Sequence, residues 1–295
     1  MMRRQSILPF PSRFVRVGDW QLHYLDEGSG VPVLMLHGNP TWCFMFRGLA
    51  QALRGNHRIL VPDHLGCGLS DRPPPERYPY TFVQRVADLE SFVNAVLDGS
   101  TPFHLVVHDW GGLIGTAYAV RQPERVLSLT VLNTAAFRVP PGSSLHWTLR
   151  FCRKSRVAAF LIRNLGAFNW GACLLGSRRG LSKEVRRGYL NPYRKRRDRL
   201  AVLRFVQDIP LKEGDPSYAA VCEMEEGLAR LADKPVLIGW GMKDFIFDEA
   251  FLTRWQEFFP SAEIHRFPSA GHYVMEDAAE DLEVILRAFL ERVES

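Results

Sequence analysis

The chain is punctuated by apolar runs that do not alternate with polar residues, VPVLMLHG, RILVPDHLGCG, FHLVVHDWGG, LSLTVLNTAA and KPVLIGWGMKD, each ending in glycine or a polar turn. Continuous runs of this kind predict strands buried on both faces, as in a parallel sheet covered by helices. Near the start, FVRVGDWQLHYLDEG alternates and predicts a β-hairpin turning at Gly18-Asp19. Helix-like stretches separate the strands: Thr41 to Leu53, Thr81 to Leu97, Gly112 to Arg121, Ala250 to Phe258 and Ala278 to Val293. This alternation is that of an α/β fold with a mostly parallel central sheet flanked by helices. One stretch, Pro140 to about Gly227, lacks a buried strand and instead carries helical segments such as Ser144 to Leu165 and Ser182 to Tyr189. It predicts a helical cap at 139–227 inserted into a core made of 1–138 and 228–295.

Composition narrows the class without changing the fold. The 295 residues suffice for one core with an insertion. The opening MMRRQSILPFPSRF is basic, but prolines and an arginine interrupt it before an apolar stretch forms, so no export signal is expected. The apolar run from Phe103 to Val120 is broken by His108, Asp109 and paired glycines, unlike a membrane span. The 5 cysteines are odd in number and widely spaced, which fits reduced thiols and a cytoplasmic setting. Net charge is +5, yet Arg138 to Lys212 holds 18 Lys/Arg against 3 Asp/Glu. That segment is expected to be a solvated basic surface, or else one that docks on an anionic membrane or an acidic protein partner. No nucleic-acid-binding motif accompanies it, and nucleic acid is not expected as a partner.

The most informative segment is LVVHDWGGLI, in which a buried strand runs through His108-Asp109-Trp110-Gly111-Gly112 straight into a helix. That is a nucleophile elbow with Asp109 in the nucleophile position and Val107 in place of the usual first glycine. The chain order nucleophile, acid, histidine then points to Asp244 at the end of VLIGWGMKD and to His272 in HRFPSAGHYVMED. Asp248 is a rival acid, better suited to capping the next helix. A carboxylate nucleophile selects substrates electrophilic at sp3 carbon, because the ester it forms can be cleaved whereas the ether made by a serine cannot. His272 would act as base, with Asp244 orienting its ring. Asn39, in HGNPTW, and Trp110 offer backbone N–H groups for an oxyanion hole, and their side-chain N–H groups suit a departing anion. The substrate pocket is expected between core and cap, with cap aromatics such as Trp147, Phe168 or Phe205 in its wall. No metal and no organic cofactor are implied, and the partner expected is a small apolar substrate.

HGNPTW, PDHLGCGLSD, HDWGG, WGMKD and GHYVMED together resemble the haloalkane dehalogenases of the α/β-hydrolase superfamily, across the whole chain outside the cap. The resemblance implies Asp109 as nucleophile, His272 as base, Asp244 as acid, and Asn39 with Trp110 as halide donors. Asn133 stands where some members carry a glutamate, so the chain is similar to the subfamily whose acid follows the seventh strand. LNTAAF (Leu132 to Phe137) and FVQDIPL (Phe205 to Leu211) are also similar to the β-lactone decarboxylases of long-chain olefin biosynthesis, which share the catalytic set. The reading at this point is a haloalkane dehalogenase, with a β-lactone decarboxylase as the alternative. An epoxide hydrolase, which would use cap tyrosines such as Tyr189 and Tyr193, and a non-catalytic fold member rank below both.

Overall fold

A computed structural model describes residues 8–144 and 146–295 of the protein. The basic opening Met1 to Ile7 lies outside them, as does Leu145. The described chain carries one eight-stranded sheet: β1 (Arg13–Val17), β2 (Trp20–Glu27), β3 (Pro32–Leu36), β4 (Arg58–Pro62), β5 (Phe103–His108), β6 (Val126–Leu132), β7 (Val236–Gly241) and β8 (Glu263–Phe267). In space the order is β1-β2-β4-β3-β5-β6-β7-β8, parallel from β4 onward, with β1 and β2 paired antiparallel at one edge. The hairpin turns at Gly18-Asp19 as predicted, Val17 pairing with Trp20. β3, β5 and β7 are buried along their full length, which is why their sequences do not alternate.

Helices cover the sheet: α1 (Arg47–Leu53), α2 (Phe82–Val96), α3 (Trp110–Arg121), then α4 (Trp147–Lys154), α5 (Arg156–Phe160), α6 (Ala167–Leu175), α7 (Lys183–Leu190), α8 (Leu200–Gln207) and α9 (Tyr218–Gly227), and finally α10 (Glu249–Phe258), α11 (Val274–Asp277) and α12 (Ala279–Glu294). Thr81 and Ser182 cap α2 and α7 by accepting from Gln84 N and Val185 N. Between β6 and β7 the described residues form helices and no strand. The single helix expected from Ser144 to Leu165 is broken in two. Ser155 turns extended (ψ 125°) and its hydroxyl accepts from Ala158 N, starting a new helix in place of continuing the old one.

The helices between β6 and β7 are fastened to the rest of the protein through the turn at 176–179, where Ser177 Oγ and the Arg178 and Arg179 N–H groups donate to Asp277 and Tyr273 N donates to the Gly176 carbonyl, and through α7 and the turn after it. Tyr193 Oη donates to the Thr41 carbonyl (2.7 Å), Trp42 Nε1 to the Gly188 carbonyl (3.1 Å), and Tyr189 Oη to Glu276 (2.5 Å), which Arg47 holds from the other side (2.6 and 2.8 Å). Residues 147–165, by contrast, make no hydrogen bond or ion pair to 8–138 or 228–295 among the described residues; Arg153 and the carbonyls of Arg163 and Asn164 bond within the inserted helices.

Candidate active site

The turn from β5 into α3 puts Asp109 at φ +50°, ψ −126°, a conformation L-residues rarely adopt. The neighbours make room for it. A Cβ at Gly111 would run into the Leu36 carbonyl, one at Gly112 into Thr134, and one at Gly38 into the Asp109 carboxylate itself. Val107, the departure from the glycine-first elbow, is accommodated one helical turn on: a Cβ at Gly115 would sit 2.8 Å from Val107. The strain is thus held by a backbone packed from three sides, and it projects the carboxylate above the C-terminal edge of the sheet.

The three residues singled out for catalysis converge there. His272 Nδ1 lies 2.8 Å from Asp244 Oδ2, and Nε2 lies 3.6 Å from Asp109 Oδ2. Asp109 Oδ1 accepts from the Asn39 backbone N–H (2.6 Å), with the Trp110 N–H also favouring the charge. The two oxygens therefore differ: Oδ1 is tied to the Asn39 N–H and Oδ2 faces the imidazole. Burial holds the Asp109 pKa above the ordinary carboxylate value, against the opposing pull of His272 and the two N–H groups. Burial by itself would depress His272, but Asp244, through charge and hydrogen bond, and then Asp109 hold its pKa above the ordinary histidine value. The imidazole thus lies between two carboxylates, both of which favour its protonated form.

Two residues whose positioning role is not apparent from the sequence, Asn133 and His108, hold this set. Asn133, at φ +37°, clamps Asp244: its Nδ2 donates to Asp244 Oδ2 (3.0 Å) and to the Gly241 carbonyl (3.1 Å), while its Oδ1 accepts from Gly241 N (2.8 Å). His108 Nε2 lies 2.9 Å from the His272 carbonyl, with the two rings 4.6 Å apart. Burial and the His272 charge push His108 far below its ordinary pKa, so it is a neutral N–H donor that fixes the loop carrying His272. The only hint of this was its place beside Asp109.

Above these groups lies a cavity of about 310 Å³, walled from below by Asn39, Asp109, Trp110, Leu113, Ala135, Phe137 and Phe247, and from above by Leu149, Phe151, Ile162, Phe168, Leu175, Val206 and Ile209. Apart from Asn39 and Asp109 these are apolar or aromatic side chains. Asn39 gives one amide N–H to the Val202 carbonyl (3.2 Å), which leaves its second for a ligand. Of the cap aromatics expected in the wall, Phe168 is there. Trp147 is not: it is 71% exposed on the outer surface of α4. Phe205 is not either, since it packs behind Trp110 with rings 5.1 Å apart and lies under the Arg85 guanidinium; on a helix the next residue, Val206, takes the inward direction. Asp248 caps α10 through Ala250 N. Tyr189 and Tyr193 spend their hydroxyls on Glu276 and the Thr41 carbonyl and do not line the cavity.

A second cluster of chemical interest, His23, Cys43 and Asp63, is closed on itself. Its carboxylate already accepts from His23 (2.8 Å), Cys43 N (2.7 Å) and Leu69 N (2.9 Å), and burial with the Asp63 charge holds the Cys43 thiol well above its ordinary pKa. It ties the turn after β4 in place.

Comparison with known proteins agrees with this architecture. Residues 31–279 match the alpha/beta hydrolase fold family. A cis-3-alkyl-4-alkyloxetan-2-one decarboxylase of Shewanella oneidensis is 43% identical over 98% of this chain and 91% of its own length. A protein of the same name from Xanthomonas campestris is 41% identical over 92% of each chain. Haloalkane dehalogenase 2 of Mycobacterium tuberculosis is 31% identical over 97% of this chain and 96% of its own. Among solved structures, the haloalkane dehalogenase DatA of Agrobacterium tumefaciens superposes with a TM-score of 0.85 at 24% identity, covering 96% of this chain and 97% of that one, a likeness of fold. The chain belongs to the α/β-hydrolase-fold family, as an enzyme related to both oxetan-2-one decarboxylases and haloalkane dehalogenases.

Proposed function

We propose that this enzyme decarboxylates cis-3-alkyl-4-alkyloxetan-2-ones, β-lactones with two alkyl arms, to alkenes, using Asp109 as nucleophile, His272 as its charged neighbour and Asp244 as the orienting acid. In this reading residues 139–227 are the cap and 1–138 with 228–295 the core. The observation that carries it is where two segments sit. Ala135 and Phe137 of LNTAAF, and Val206, Ile209 and Pro210 of FVQDIPL, line the cavity from below and above. These are the stretches similar to β-lactone decarboxylases, and they face the cavity. The higher identity to two proteins named as such decarboxylases points the same way.

The steps balance without water. Asp109 Oδ2 attacks ring carbon C4, the C4–O bond breaks, and its electron pair leaves a carboxylate on C3 and an alkyl ester on Asp109. The bond from C3 to that carboxylate then breaks, its pair forms the C3–C4 double bond, and the ester bond to Asp109 opens. Carbon dioxide and alkene depart and Asp109 regains its charge. Inversion at C4 followed by anti elimination turns a cis lactone into a cis alkene. Burial keeps the attacking carboxylate poorly solvated, the Asn39 amide and Trp110 indole donate to the lactone oxygen as it leaves, and the His272 imidazolium stabilises the carboxylate that returns.

Haloalkane dehalogenation is the second reading, favoured by Asn39 and Trp110 lining the cavity beside Asp109. There His272 must be neutral, to activate water against the ester. The test is a paired assay with purified enzyme: alkene from a long-chain cis-β-lactone, and halide from 1-bromo- and 1-chloroalkanes. Rapid alkene formation with feeble halide release is expected. Rapid halide release with no alkene would overturn the proposal in favour of the dehalogenase.

A further inference from the structure

Large apolar side chains are not spread evenly over this surface. Of the 12 that are exposed among the described residues, 8 fall between Trp147 and Leu175, on α4, α5, α6 and the turns joining them. Trp147 is 71% and Phe160 60% exposed, and Trp170 and Leu174 join them. A cluster this size marks a binding surface. The charge along this segment has one sign: from Arg125 to Lys183 the chain contains no Asp or Glu. Arg150, Lys154 and Arg156 are exposed and make no ion pair among the described residues. Beside the apolar residues lies a surface cleft lined by Arg150, Lys154 and Lys212, with Arg153 beneath them paired to Asp215, and the three other cations suit an anionic headgroup.

We infer that the outer face of α4 to α6 docks on an anionic lipid bilayer, with its aromatic and aliphatic side chains in the interface and its arginines and lysines against the headgroups. Two observations favour a bilayer over a protein partner. Phe151 and Leu175, each more than half exposed, also line the cavity, so the apolar outer face is continuous with the pocket wall, and a rigid partner seated there would stop it. The shape is also that of a surface-lying element. No single helix among the described residues is long and apolar enough to cross a membrane, and the apolar pair Arg156–Leu165 and Ala167–Leu175 is bent by 81°. Docked in this way, the pocket would exchange apolar substrate and product with the bilayer rather than with water. The inference does not depend on which apolar substrate the pocket takes.

The test is flotation of the full chain with vesicles of phosphatidylglycerol in phosphatidylcholine, and with phosphatidylcholine alone. Retention on the anionic vesicles only, released by salt, is expected. The triple variant Arg150→Gln, Lys154→Gln, Arg156→Gln should bind about 100-fold more weakly, each charge contributing comparably. Trp147→Ser, Phe160→Ser, Trp170→Ser should abolish retention. None of these side chains lines the cavity, so turnover of detergent-dispersed substrate should be unchanged in both variants, which also reports that they fold. Failure of the wild type to float with anionic vesicles, or flotation that survives both variants, would overturn the inference. So would a dimer in sedimentation that the serine variant dissolves while vesicles retain nothing, since that assigns the face to a second copy.

Discussion

Replacing Asp244 by asparagine tests the electrostatic part of the mechanism without emptying the site. The carboxylate accepts from three N–H groups, Ile246 N on Oδ1 (2.7 Å) and both Asn133 Nδ2 (3.0 Å) and His272 Nδ1 (2.8 Å) on Oδ2. An amide has one acceptor oxygen. Turned toward His272 and Asn133 it sets its NH2 against the Ile246 N–H, and turned the other way it loses two bonds. At least one hydrogen bond to a charged group is forfeited, about 1.5–3 kcal/mol, which urea denaturation should register as a lower midpoint with unchanged slope. The larger consequence is for His272. Its raised pKa rests on Asp244 before Asp109, so with the charge gone burial prevails and the pKa falls. A raised histidine pKa means the proton is present below that value and is lost as pH rises through it. Alkene formation by the wild type should therefore decline on the alkaline side, and Asp244→Asn should move that decline to lower pH. At neutral pH kcat should drop by about 10- to 150-fold, the same 1.5–3 kcal/mol expressed as a rate, with partial recovery on acidification. A pH–rate profile superimposable on that of the wild type, at equal kcat, would refute the assignment of the imidazolium. A dehalogenase predicts the opposite limb, with activity rising as His272 loses its proton.

Other expectations follow from single contacts. Asp109→Ala should abolish alkene formation in a direct assay by gas chromatography, and retention of full activity would remove the covalent mechanism. Gly38→Ala drives a methyl group into the Asp109 carboxylate, so turnover should fall by orders of magnitude while urea shows a folded protein. Phe205→Ala empties a fully buried site behind Trp110 and should cost about 3–5 kcal/mol by denaturation, with KM rising as Trp110 loosens. Turnover in water enriched in oxygen-18, followed by mass spectrometry of the peptide carrying Asp109, should leave that residue unlabelled. Label there would mean that water cleaves the ester.

The elements legible in the sequence were those in which one requirement dominates. Strands such as β5 and β7 have both faces buried, so an unbroken apolar run is sufficient to identify them. Asp109, Asp244 and His272 follow the carboxyl ends of β5, β7 and β8, where the topology brings them together. What escaped depends on rotation and distant partners. Whether Phe205 or Val206 faces the cavity is settled by about 100° of helix rotation, which tertiary packing decides. The break at Ser155 hangs on one hydroxyl choosing Ala158 N. The grip of Asn133 on Asp244 spans 111 positions of sequence, and nothing local announces it.

The uneven fastening of the helices between β6 and β7 sets an order of unfolding. With the turn at 176–179 bonded to Asp277, α7 to Trp42 and Glu276, and the turn after it to Thr41, while residues 147–165 bond only within 139–227, the fold has a hinge side and a free side. Amide exchange should be quickest along α4 and α5, well below the free energy of global unfolding. The free side is also the one bearing the exposed aromatics, so small opening motions there would widen the cavity while leaving the strands beneath Asp109 undisturbed. Tolerance for bulky substrates and rigidity of the reacting groups would then be separable properties, adjustable by mutation in different parts of the chain.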